Sequence, residues 1–217
     1  MTEADGTGSA GRTRIPTGKF TVLKSTPHFQ GRVIGLRTDT VRMPDGTVSD
    51  RDIIVHPGAV AVVALDEEQR VVLVRQHRQP VGHALEELPA GLLDVAGESA
   101  LAGAMRELHE EAALVASDWH VLLDLYTSPG MTDEAIRVYL ARGLSDVADD
   151  ERFVPEHEEV TMTRRRVPLD VAVASTLAGE LTNAATVAGI LGAATARAGN
   201  WTALRPADAV WPARPGR

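Results

Sequence analysis

The chain has 217 residues, 44% of them apolar and 24% charged, with a net charge of −8 and no cysteine. That length holds one large domain or two small ones around a sizeable core, and the missing thiols exclude disulfides, thiolate metal sites and cysteine nucleophiles. The acidic balance argues against nonspecific nucleic-acid binding, which depends on Lys and Arg neutralising phosphates, and no apolar run approaches the roughly 18 residues of a bilayer-spanning helix.

Residues 1–18 are Gly, Thr and polar residues without an apolar segment, and read as a disordered tail, not a signal peptide. Residues 19–57 form an expected β arm, with two strands around the turn Pro44-Asp45-Gly46. AVAVVAL (59–65) is a continuous apolar run of strand length, and VVLVRQ (71–76) follows a polar turn, which predicts a hairpin. From Ser99 to Ala113, Leu101, Met105, Leu108 and Ala112 recur at helical spacing and predict one apolar stripe. WHVLLDLY, AIRVYLARGL and VTMTRRRVPL read as strands. The arginine run in the last is expected on a partly exposed strand. LDVAVASTLAGE and NAATVAGILGAATARAG read as helices, the second capped by Asn183 and ended by Gly199. Residues 201–217 are Pro-rich and read as an irregular tail. Strands with interspersed helices predict a single α/β or α+β domain.

RELHEE (106–111) puts three glutamates on one helical turn and a half. At about 100° per residue, Glu107 and Glu111 lie about 40° apart, with Glu110 about 60° to the other side of Glu107. Like charges at this spacing destabilise a helix, and they sit near its C-terminus, where the macrodipole disfavours anions. Two readings stand at this point: a solvated face partly neutralised by Arg106, or a site for a hard cation such as Mg²⁺ or Mn²⁺.

The wider stretch GLLDVAGESALAGAMRELHEEAAL (91–114) resembles the signature of the Nudix hydrolases. Gly91 matches the first glycine of that box and Glu98 its first glutamate; Arg106, Glu107, Leu108, Glu110, Glu111 and Leu114 match the rest in register. Six residues separate Gly91 from Glu98 where the family has five, and Ala113 stands where the family has glycine. An alanine forced to φ > 0 there would be strained. ELPAGLLD, QHR (76–78) and SPGMTDE (128–134) further resemble the ADP-ribose pyrophosphatase branch, with Pro129 fifteen residues past Leu114.

The resemblance implies an α+β fold of the α/β/α sandwich kind over 58–200, with an N-terminal antiparallel β-hairpin arm over 19–57 that forms a homodimer. It implies hydrolysis of ADP-ribose to AMP and ribose 5-phosphate with Mg²⁺ or Mn²⁺; the missing cysteines fit a cytoplasmic protein. Glu107 and Glu111 are the implied metal ligands, joined by the Ala90 carbonyl. Glu98 braces the loop or serves a further metal, and Glu110 is a secondary ligand or orients water. Arg106 and Gly91 are structural. The general base is implied in EHEEVTM: Glu159, with Glu158 and Glu156 as alternatives. Arg78 is expected on the phosphates, Glu87 on ribose or base, Arg37 at a neighbouring subunit's site, and Pro129 and Gly130 in the substrate-facing turn. His77, His83, His109, His120 and His157 have no metal-ligand spacing. Other nucleoside diphosphate sugars such as GDP-mannose, a non-catalytic ADP-ribose sensor, and an interaction domain with a chance motif are the competing readings.

Overall fold

The computed structural model describes residues 19–148, 150, 153 and 161–214. β1 (Thr21–Gln30), β2 (Gly35–Arg42) and β3 (Val48–Val55) form an antiparallel sheet in that order. The expected hairpin is β2–β3: Gly46 takes φ 87°, and Asp45 Oδ1 accepts the Thr47 backbone N–H at 3.0 Å. β1 adds a third strand to it.

The second sheet is mixed, in the order β11-β8-β9-β4-β7. Its centre is β4 (Ala59–Ala64), parallel to β9 (Ala135–Asp146) and antiparallel to β7 (Ala90–Leu92). β8 (Leu114–Tyr126) pairs with β9, and the short β11 (Arg205–Pro206) with β8. Every residue of β4 is buried because helices cover both faces. Ala61 and Val63 pack with Ile190 and Ala193 of α3 (Ala184–Ala198). Val60, Val62 and Ala64 pack with Ala104, Leu108 and Ala112 of α1 (Ala100–Ala112). The result is the α/β/α sandwich expected from the box. Asn183 caps α3 through the Thr186 N–H at 3.0 Å, as its sequence position suggested.

The hairpin expected between 59–65 and 71–76 does not form. β5 (Arg70–Arg78) lies in a third sheet, β10-β5-β6, with β6 (His83–Glu87) and β10 (Thr163–Pro168); only the isolated bridge Leu65–Val71 joins it to β4. β9 pairs along the whole of one edge of β4, and on the other edge β7 takes Ala59–Ala61 and the Pro89 carbonyl accepts the Val62 N–H, which leaves β5 no continuous edge to pair with. Asp66 steers the chain away, accepting both the backbone N–H and the Nε–H of Arg70 at 2.8 Å. A residue outside any strand, Leu88, then bridges sheet and helix, its N–H reaching Thr186 Oγ1 at 3.0 Å. α2 (Leu169–Leu177) follows β10 directly.

The apolar stripe of α1 is also rotated from the expectation. Met105 is 42% exposed, whereas Gly103, Ala104, Glu107, Leu108 and Ala112 face inward. Small residues let α1 approach the sheet closely, and that approach carries a glutamate into the interface. The expected irregular tail is partly docked: β11 extends the sheet, Trp211 is 4% exposed, and Arg137 donates to the carbonyls of Ala209 and Val210 while stacking 4.9 Å above the Trp211 ring.

Ala113 closes α1 in the left-handed region, at φ 48° and ψ 46°, as the departure from the box glycine implied. Its N–H reaches the His109 carbonyl, and its own carbonyl accepts the Val147 N–H, both at 3.0 Å. Ala113→Gly is expected to raise the unfolding free energy by about 0.5–1 kcal/mol, since glycine adopts this conformation without the Cβ clash. Urea unfolding measures it; a lower midpoint would mean that the alanine is not strained.

Candidate active site

Ser99 starts α1 by accepting the Ala102 N–H at 3.1 Å, and the box carboxylates gather around one guanidinium on the helix. Arg106 holds Glu98 through two bonds, Nε–H to Oε1 at 3.0 Å and Nη2–H to Oε2 at 3.1 Å. Its Nη1 donates to Glu107 Oε1 at 2.6 Å and to Glu110 Oε2 at 3.0 Å. These carboxylates raise the Arg106 pKa further above its usual range, Glu98 most strongly. Glu98 thus ties the loop to the helix. Gly103 gives it room, since a Cβ there would stand 3.0 Å from Glu98 Oε2.

Gly91 has a sharper requirement. A Cβ on it would lie 2.0 Å from Cδ of Glu107, so only glycine lets β7 lie against that carboxylate. One residue earlier, the Ala90 N–H donates to Glu111 Oε2 at 2.9 Å. Burial pushes the Glu111 pKa up to about 8, opposed by the Ala90 bond and assisted by the negative charge of Glu107. Ala90, Gly91, Glu98, Arg106, Glu107, Glu110 and Glu111 are therefore brought together as the box implied.

Arg78 and Glu87 stand beside this cluster as one unit. Arg78 Nε–H and Nη2–H meet the two oxygens of Glu87 at 2.9 and 2.6 Å. Glu87 is 2% exposed, so its work in the structure is to hold Arg78, and both charges act on Glu111. A cavity of about 320 Å³ opens here, lined by Arg78, Glu87, Ala90, Gly91, Glu134 and His56 among others. A second, of about 400 Å³, adjoins it at His56 and is lined by Arg37 and Asp133. Arg37 faces Asp133 of its own chain at 3.6 Å. Pro129 and Gly130 are exposed in the turn before Asp133 and Glu134 and line neither cavity. Glu156, Glu158 and Glu159 lie outside the described residues.

His56 was not legible in the sequence as a site residue. Its backbone N–H donates to Asp133 Oδ1 at 2.8 Å, a partner far along the chain, and only the fold joins them. The dipeptide Pro57-Gly58 after it was the available signal for a tight, chain-directing turn; Gly58 takes φ 86°.

The donor set suits a hard divalent cation in kind: two adjoining carboxylates, Glu107 and Glu111, against the start of β7, where the absence of a Cβ on Gly91 makes room for Glu107. Among the described residues, no three acidic or histidine side chains stand together at metal-ligand spacing. Arg106 supplies positive charge to Glu107 and Glu110 in this arrangement.

The model of the NUDIX domain matches residues 55–185. The chain is 44% identical over 196 residues to the ADP-ribose pyrophosphatase of Mycobacterium tuberculosis, covering 90% of this chain and 93% of that one. It is 42% identical over 132 residues to the ADP-ribose pyrophosphatase of Bacillus subtilis, covering 61% and 70%. The crystal structure of an ADP compounds hydrolase superposes with a TM-score of 0.71 at 20% identity, covering 84% of this chain and 96% of that one, a likeness of fold. The chain belongs to the Nudix family.

The folded protein keeps the Glu111 proton up to about pH 8, whereas the unfolded chain releases it near 4.5. The folded state binds more protons across that window, so this group makes stability fall as pH rises through it. Glu111→Gln is expected to flatten that fall in metal-free protein and to raise the unfolding free energy at pH 8, on the order of 3 kcal/mol. Urea unfolding across the window tests this; an unchanged pH slope would assign the burial cost elsewhere.

Proposed function

We propose that the protein hydrolyses the pyrophosphate bond of ADP-ribose, giving AMP and ribose 5-phosphate, with Mg²⁺ or Mn²⁺ as cofactor. The observation that carries this reading is the convergence of Glu107 and Glu111 on Ala90 and Gly91 at the start of β7, where burial pushes the Glu111 pKa up to about 8. Glu111 lies outside the Arg106 clamp, so a bound cation would offset its desolvation, and a diphosphate substrate needs the same charge. The two pyrophosphatase relatives support the choice of substrate.

Glu107, Glu111 and the Ala90 carbonyl would hold the cation. When bound, it neutralises the diphosphate and lowers the pKa of water at the scissile phosphorus. Arg106, itself braced by Glu98, fixes Glu107. Glu110 orients water. Arg78, aligned by Glu87, offers directed hydrogen bonds to phosphate oxygens. The general base of this reading is Glu159, with Glu158 and Glu156 as its alternatives; Pro129 and Gly130 are its substrate-facing turn.

AMP release from ADP-ribose, with and without Mg²⁺ and beside GDP-mannose and ADP-glucose, tests the reaction. Fast, metal-dependent turnover selective for ADP-ribose is expected, and Glu159→Gln should lower kcat by about two orders of magnitude or more. Preference for another sugar nucleotide would keep the reaction type and replace the substrate. Near-normal turnover in the variant would move the base to a neighbour.

The reading extends to a cytoplasmic homodimer. The chain has no cysteine, and among the described residues no helix is long and apolar enough to cross a membrane. The three-stranded sheet leaves Phe20, Val22, Phe29 and Val48 between 55% and 69% exposed, a surface that a second copy would cover. Light scattering at micromolar concentration should give twice the chain mass; a monomer would sink this part.

A further inference from the structure

Thr186 is buried in the first turn of α3, which packs on the face of the sheet opposite α1. Its hydroxyl works in both directions. It donates to Asn183 Oδ1 at 3.1 Å and accepts the Leu88 N–H at 3.0 Å. Asn183 Oδ1 also accepts the Thr186 N–H at 3.0 Å, so the cap of α3 fixes the very side chain that holds Leu88. The same helix fits closely around Leu88 nearly a turn later, where a Cβ on Gly189 would stand 2.6 Å from Leu88 Cδ1. α3 therefore grips Leu88 at its N–H and at its buried side chain.

Leu88 leads directly into β7. The Pro89 carbonyl accepts the Val62 N–H at 2.8 Å, and the Ala90 N–H donates to Glu111 Oε2 at 2.9 Å. Three consecutive residues are thus pinned in turn by α3, β4 and α1. In an antiparallel ladder, successive residues turn both backbone polar groups toward the partner strand and then away from it. Pro89 faces β4, so Ala90, opposite Ala61, faces away from it. Its carbonyl then lies on the same side as its N–H, the side of Glu111. Pro89 is also a stiff joint: its ring fixes φ at about −65° and holds the residue before it extended. A shift at Leu88 reaches the Ala90 peptide with little absorbed between them.

We propose that Thr186, braced by Asn183, is a positioning residue for the cation site: through Leu88 and Pro89 it sets the Ala90 carbonyl and the N–H that holds Glu111, and so sets divalent-cation affinity from the far side of the sheet. This rests on the proposed ligand set, Glu107, Glu111 and the Ala90 carbonyl, and adds what holds that set in place. The Thr186 hydroxyl already donates and accepts inside the protein, so it acts on the backbone and not on the substrate.

The test measures Mn²⁺ affinity calorimetrically on the substrate-free protein, and the Mg²⁺ dependence of AMP release from ADP-ribose, for the wild type, Thr186→Val, Thr186→Ser and Asn183→Gly. Melting temperatures report folding. Valine keeps the shape and removes the hydroxyl, whereas serine keeps the hydroxyl. Thr186→Val should weaken Mn²⁺ binding about 10-fold and raise the Mg²⁺ concentration for half-maximal rate by a similar factor, with kcat at saturating Mg²⁺ close to that of the wild type. Thr186→Ser should bind Mn²⁺ as the wild type does. Asn183→Gly keeps a good helix cap but removes the acceptor that orients Thr186, and should weaken binding in the same direction. It decides the matter if Thr186→Val does not fold. A lower melting temperature with unchanged Mn²⁺ affinity in the deciding variant makes the threonine merely structural and overturns the inference, as does Thr186→Ser binding as weakly as Thr186→Val. Glu107→Gln locates the ion: if it leaves Mn²⁺ binding intact, or if the wild type binds none, the ligand set and this inference fall together. A wild type that binds Mn²⁺, with variants that respond as described, but that releases no AMP removes the reaction and leaves the positioning role.

Discussion

One arginine organises the carboxylates of this protein. Arg106 donates to Glu98, Glu107 and Glu110 at once, and three glutamates could not share this small space without it. The arrangement fixes the loop before α1, because Glu98 belongs to that loop. It also fixes β7, because the Glu107 carboxylate lies where any side chain on Gly91 would stand. Charge-assisted hydrogen bonds thus tie the loop to the helix and add to the apolar packing of Ala104, Leu108 and Ala112 on the sheet, which is how the inner face of α1 can contain a glutamate. Glu111 is outside this clamp. Its partners are a single backbone N–H and the more distant Arg78, and burial dominates its titration.

The parts of the fold and site that depend on local chemistry were legible in the sequence. The helix over 100–112 and the strained alanine at its end follow from residue types within a few positions of one another. The box glutamates and Gly91 could be placed because their spacing is itself the signal. What was misread depends on partners far along the chain. Nothing in VVLVRQ says that residues 135–146 take one whole edge of the preceding strand and residues 90–92 the first half of the other. Met105 fits a helical stripe as well as Leu108 does, and only the position of the sheet decides which of them is covered.

The same division explains why His56 was missed while Arg78 was not. Arg78 sits in a recognisable tripeptide. His56 becomes interesting only when a loop more than seventy residues later brings Asp133 and Glu134 against it. The docked C-terminal segment is a similar case. Its prolines suggest irregular chain, and most of it is irregular, but the Trp211 ring finds a buried seat beneath Arg137.

The parallel pairing of β4 with β9 has a consequence for how the chain is made. Ala59 must wait for Ile136 to be synthesised before the centre of the sheet can close. During that interval the most apolar segment of the protein has neither its neighbouring strand nor, on one side, the helix α3 that follows later still. The N-terminal sheet needs only contiguous residues and can form at once on the ribosome. The core therefore assembles late and through distant contacts, the regime in which folding is slow and nascent chains are exposed to aggregation. Growth temperature and translation rate are for that reason the natural levers on the yield of native protein.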